Sequence, residues 1–120
     1  MRNSKAKKNL SFLHLDMRFV NMIYNNGNIF LIDAENCEFG DPLFELAVID
    51  MSNCINDSFL EGYISVSRKM PDITSDLFHL YKMERLALVY DLFLNVITND
   101  KASTELYATK FKELKKIILG

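Results

Sequence analysis

The sequence predicts an α+β fold, mostly helical with one β-hairpin, and three observations predict it. Asn25-Asn26-Gly27-Asn28 separates two short runs rich in β-formers, Met22-Ile23-Tyr24 and Ile29-Phe30-Leu31-Ile32. Beyond Gly40, apolar residues recur at helical spacing in several stretches, each opened by a capping residue and closed by a break. The 120 residues, 49% hydrophobic with a formal charge of -2, suit one soluble domain.

The elements follow in order. A polar leader occupies 1–9 and a single domain 10–120, with a loop and hairpin at 10–35 and helices at 42–119. Asn-Gly supplies the positive φ angles of a tight turn, so a hairpin spans 22–32 and Asp33 ends its second strand. Asp41-Pro42 is a helix start, with Pro42 in the first turn and Asp41 capping the amides there. That helix runs to about Asn53, with Phe44, Ala47, Val48 and Met51 on one face. Asp57 or Ser58 caps a second helix to about Lys69, burying Phe59, Leu60, Tyr63 and Val66, and Met70-Pro71 breaks it. Thr74, Ser75 or Asp76 starts the longest helix, to about Ile97, whose apolar residues surround it and predict a central buried helix. Ser103 or Thr104 caps a last helix through Leu119, with Tyr107, Phe111, Leu114 and Ile118 inward.

Composition excludes several classes. The charge balance argues against nucleic-acid binding as the main role. The basic cluster Arg2, Lys5, Lys7 and Lys8 reads as a solvated chain start, with a localisation or RNA-binding arm as the alternative. Cys37 and Cys54 form no C-x-x-C, so a reducing cytoplasmic setting fits and inert packing is their default role. Two histidines are too few for a usual zinc site. The most apolar long segment, 77–97, carries Lys82, Glu84, Arg85 and Asp91, which argues against a membrane span.

Phe12 to Glu35 places Asp16, Asn21 and Asp33 among apolar neighbours without a matching set of cations. Such groups are either solvated at a rim or hold a metal ion. His14-Leu15-Asp16-Met17-Arg18-Phe19-Val20-Asn21 has the H-x-D-x-x-x-x-N spacing of a phosphoryl-transfer loop. There a carboxylate faces the attacking hydroxyl, an amide oxygen binds magnesium, and a later aspartate completes the set. The hairpin would fold the chain back so that Asp33 faces Asn21. Magnesium prefers oxygen ligands of this kind, together with water and phosphate.

Taken with Phe30-Leu31-Ile32-Asp33-Ala34-Glu35 and Gly40-Asp41-Pro42-Leu43-Phe44-Glu45-Leu46-Ala47, this loop resembles the aminoglycoside phosphotransferase and choline kinase family. The resemblance covers 10–47. It implies the mostly helical part of a protein-kinase-like C-terminal lobe, using ATP and Mg2+ to phosphorylate a small-molecule hydroxyl. Asp16 falls on the catalytic carboxylate and Arg18 on a position directed at the transferred phosphate. Asn21 and Asp33 fall on the magnesium ligands, and Glu35 on an acidic residue near the metal or its waters. His14 becomes a structural support of the loop, and Asp41 a helix start.

Departures accompany the match. Leu15 replaces a glycine, Phe19 a proline, Ala34 an aromatic residue and Glu45 an aspartate. With glycines only at 27, 40, 62 and 120, no Gly-rich phosphate loop is present. Neither a strand lysine nor its helix glutamate partner precedes the loop. The expectation is therefore the second part of a catalytic lobe: a split or truncated gene product, or a half that needs a complementing chain or a second copy.

Plainer readings stand beside these. Arg18 could be a surface cation paired to Glu35 or Glu38, and Asn21 could bond backbone in a turn. Glu35 and Glu38 fit site or surface equally. His79 reads as a partly buried helix histidine. A non-catalytic interaction module is the second functional reading. A structural divalent-cation domain is the third, although the acidic spacing is not that of a calcium loop.

Overall fold

The computed structural model describes residues 10–97 and 99–119; the expected polar leader, its basic cluster and Thr98 lie outside them. The described residues hold two two-stranded antiparallel sheets and four α-helices. They divide into two compact units, one ending at Pro71 and the other starting at Asp72. No helix among them is long and apolar enough to cross a membrane.

In the first unit, β1 (Ser11–Leu13) pairs with β4 (Glu38–Gly40), opposing Phe12 to Phe39 and Leu13 to Glu38. The two phenylalanine rings meet edge to face at 5.5 Å, a favoured aromatic geometry. Between these strands the chain makes a 3-10 turn (Phe19–Asn21) and the hairpin of β2 (Met22–Asn25) and β3 (Asn28–Leu31). The expected hairpin is present, with Tyr24 opposite Ile29 and Asn25 opposite Asn28. Its turn takes φ 50° at Asn26 and φ 81° at Gly27, as a two-residue turn of mirror-image type requires.

Helix α1 (Pro42–Asp50) follows directly and packs against β1. Asp41 caps it, accepting from the Leu43 N–H at 3.0 Å. It ends three residues before the expected Asn53, where a tight turn brings Asn53 to φ 54°. Helix α2 (Asp57–Ser67) is capped by Asn56, one residue before the expected Asp57 or Ser58; the Asn56 side chain accepts from the Phe59 N–H at 2.9 Å. Arg68 in the left-handed region stops α2, so the chain leaves the helix before Pro71 is reached. Nothing in α2 is fully buried: Phe59, Leu60 and Tyr63 are half-buried and Val66 is 83% exposed.

The second unit is a pair of packed helices, α3 (Asp76–Asn95) and α4 (Lys101–Leu119). Ser75 caps α3 through the Phe78 N–H. Helix α3 is not the fully buried helix its composition predicts. Only Phe78 and Leu86 are buried, while Leu77, Leu80, Leu88 and Leu92 are exposed. A single partner helix covers one stripe, and the apolar residues of α3 run all the way round. On α4 the expected inward set holds: Leu114 is buried, and Tyr107, Phe111 and Ile118 are half-buried. Phe93 and Tyr107 stack at 5.4 Å across the pair. Asp100 rather than Ser103 or Thr104 opens α4, accepting from the Ser103 N–H at 3.0 Å.

Candidate functional site

The sequence-predicted loop forms a cluster in the first unit. Asp16 lies at its centre. The Arg18 guanidinium donates to its two carboxylate oxygens at 2.8 and 3.4 Å. The Asn21 amide donates to its Oδ2 at 2.9 Å and to its backbone carbonyl at 2.7 Å. Arg18 therefore pairs with Asp16, not with Glu35 or Glu38. Partial burial alone would raise the Asp16 pKa, but the hydrogen bonds from Arg18 and Asn21, helped by the Arg18 charge, hold it below the ordinary 3.8. A lowered folded-state pKa stabilises the fold at pH values above the unfolded one. That contribution is lost as pH falls through the lowered folded value. The urea-midpoint difference between the wild type and Asp16→Asn should be constant above about pH 5 and shrink below it.

Asn21 is 6% exposed, and both of its hydrogen bonds to Asp16 use Nδ2. Its amide orientation is thereby set, with the nitrogen making both bonds. The Asn21 carbonyl accepts from the Ile32 N–H at 2.9 Å, which places the return strand beside it. Asp33 is the next residue. It is exposed and sits at φ 60°, a left-handed conformation that short polar side chains tolerate. Glu35 is also exposed, in the turn before β4. The structure thus brings His14, Asp16, Arg18 and Asn21 into one network. It sets Asp33 and Glu35 at the end of the adjacent strand, and uses Asp41 as a helix cap.

His14 takes the supporting role expected of it. It is buried, its Nδ1 accepts from the Asp16 N–H at 3.2 Å, and its Nε2 lies 2.9 Å from the Ile32 carbonyl. With Nδ1 accepting, the proton of the neutral ring belongs on Nε2, which donates to Ile32. One ring therefore ties the loop to the end of the hairpin.

Sequence reasoning missed Glu45, whose replacement of aspartate reads as a mild change. It is 8% exposed, and its carboxylate accepts the backbone N–H groups of both His14 and Leu15, the latter at 3.0 and 3.3 Å. A signal existed: a carboxylate between apolar neighbours in the first turn of a core helix must find buried donors. Its partners are about thirty residues away and cannot be read from local spacing.

Leu15 stands where the resemblance would place a glycine. It sits at φ 63° and is 4% exposed. Glycine would adopt this backbone without strain, whereas leucine pays about 1–2 kcal/mol for it. Its buried side chain is worth more, about 2.7–5 kcal/mol by comparison with core Leu→Ala substitutions. Leu15→Gly should therefore destabilise the fold by about 2 kcal/mol despite relieving the backbone, as urea unfolding would show.

Among the described residues, no three His, Cys, Asp or Glu side chains gather as a metal site. A magnesium set built on Asn21, Asp33 and Glu35 would use an amide oxygen and complete its shell with water and phosphate. No protein-family profile, curated protein or solved structure matches this chain.

Proposed function

We propose that the chain carries the catalytic-loop part of an ATP- and magnesium-dependent phosphotransferase, a small-molecule kinase of the aminoglycoside phosphotransferase-like kind. It would transfer the γ-phosphate of ATP to a hydroxyl of a small-molecule acceptor. The observation that carries this reading is the hydrogen-bonded trio of Asp16, Arg18 and Asn21, on a loop held by His14 from one side and Glu45 from the other. Asp16 orients the acceptor hydroxyl and receives its proton. Arg18, which is half-exposed, is the cation available to the transferred phosphoryl group once it leaves Asp16. Asn21 through Oδ1, with Asp33, would hold magnesium, and Glu35 would hold its waters. When bound, the ion would supply charge neutralisation across the nucleotide phosphates. The all-oxygen donor set suits it.

The surface closing over the nucleotide would come from a segment or subunit outside the described residues. The proposed setting is the cytoplasm, supported by the unpaired Cys37 and Cys54. Neither nucleic acid nor a membrane enters the proposal.

Calorimetric titration with ATP, with and without magnesium, tests it. Saturable heat should appear only with the metal, and Asp33→Asn should weaken it by at least about tenfold. Binding that ignores magnesium, or an unaffected Asp33→Asn, removes the metal assignment.

A second reading, a non-catalytic interaction module, is favoured by the hairpin surface. Tyr24 is 74% exposed and Phe30 53%, on a sheet of only two strands. Two-stranded sheets are marginal alone, and exposed apolar patches favour a covering partner, here a complementing subunit or a second copy. No nucleotide heat, together with a mass that doubles with concentration in light scattering, would support that reading over the first.

A further inference from the structure

Next to the Asp16 loop the first unit contains a cavity of about 90 Å3, lined by Met17, Arg18, Met22, Ile49, Cys54 and Phe59 among its walls. We infer that this cavity is a subsite for a short, branched, uncharged apolar arm of the hydroxyl acceptor; as an acceptor subsite it rests on the phosphotransfer reading above. Three observations converge on it.

The first is position. Met17 directly follows Asp16, and Arg18 is at once a cavity wall and the ion-pair partner of the Asp16 carboxylate. The cavity and the proposed hydroxyl-binding carboxylate are thus separated by one guanidinium side chain. A molecule with its hydroxyl at Asp16 need reach only a short way to fill the cavity.

The second is chemistry. Thioether, thiol, aromatic and aliphatic surfaces line the cavity, and among the described residues the only charge in the lining is the Arg18 cation. Among those residues the lining offers no carboxylate to receive an ammonium group. A cationic arm would lose its hydration beside a like charge, whereas an apolar arm would replace water on apolar walls. Methionines 17 and 22 add adaptable surface, as unbranched thioethers do.

The third is size. A cavity of 150 Å3 takes benzene. By that measure about 90 Å3 accommodates roughly three to four carbon atoms. The subsite therefore selects acceptors with an isopropyl- or isobutyl-like arm, and it disfavours polyamines at this position.

The test reads binding without nucleotide. The chain is labelled with 13C at its methionine methyls and titrated by NMR with ethanol, 1-propanol, 2-methyl-1-propanol and 2-aminoethanol. Saturable shifts confined to Met17 and Met22 are expected, with affinity rising about fourfold per added carbon up to the four-carbon alcohol. The amino alcohol should give none. Cys54→Phe, which fills the cavity from a half-buried position, should abolish the shifts; Cys54→Leu is the milder filling variant should the first fail to fold. Linear shifts, shifts shared by Met51, Met70 and Met83, equal binding of 2-aminoethanol, or indifference to a folded filling variant would each overturn the subsite. Binding of the branched alcohol by a chain that shows no magnesium-dependent ATP heat would instead reject the phosphotransfer reading and leave the cavity a ligand site.

Discussion

Replacing Glu45 by alanine is expected to cost about 3 kcal/mol of stability and to release the candidate catalytic loop. The cost comes from what is left behind. Two backbone N–H groups, those of His14 and Leu15, donate to one nearly buried carboxylate. Alanine removes the acceptor and leaves both donors buried, each costing about 1–3 kcal/mol. For a small domain with about 5–15 kcal/mol of total stability, that loss is a large fraction. Urea unfolding should show a lower midpoint. Hydrogen exchange at His14 and Leu15 should accelerate by far more than exchange in α4, which belongs to the other unit. Glu45→Gln should lie between, because its amide nitrogen presents a donor to a donor. A Glu45→Ala protein with wild-type midpoint and undisturbed amides at 14 and 15 would show that the clamp contributes nothing.

The second large effect concerns chemistry. On the phosphotransfer proposal, Asp16→Ala should lower phosphoryl transfer by about 10²–10⁴-fold, the usual yield of a positioned acid or base. Magnesium-nucleotide binding should persist, because the proposed metal ligands are Asn21 and Asp33. Asp16 also holds the Asn21 amide and the Arg18 guanidinium, so the mutation frees both side chains. Asp16→Asn separates the two roles: it keeps a hydrogen-bonding oxygen at this position and removes the charge. Its turnover should stay as low as that of the alanine variant, since an amide accepts no proton from a hydroxyl. Turnover at the wild-type rate in Asp16→Ala would remove Asp16 from the mechanism.

These effects trace back to different kinds of information. The hairpin was readable because Asn26 and Gly27 carry the turn chemistry themselves, as positive φ angles that few residues accept. The caps at Asp41 and Ser75 were readable for the same local reason: a short oxygen-bearing side chain reaches an amide two or three residues on. The shared loop of Asp16 and Asn21 was legible as a five-residue spacing, and a backbone bond from Asn21 was among its readings, but the bond to the Asp16 carboxylate was not. Helix ends were less so. Asn56 and Asp100 took capping roles expected of later neighbours, since several residues in each stretch could have served.

What sequence alone determined, then, is whatever a residue does to its own backbone and to its near neighbours: turns, caps, helical stripes, and the loop that joins Asp16 to Asn21. Tertiary structure decided the rest. It paired β1 with β4, brought the Glu45 carboxylate under the His14 and Leu15 amides, and left much of α3 exposed. The physical reason is that burial and long-range hydrogen bonding depend on which surfaces meet. Glu45 is an ordinary helix-start acid until β1 and α1 pack together, and only then does its carboxylate become the acceptor for two amides some thirty residues earlier in the chain.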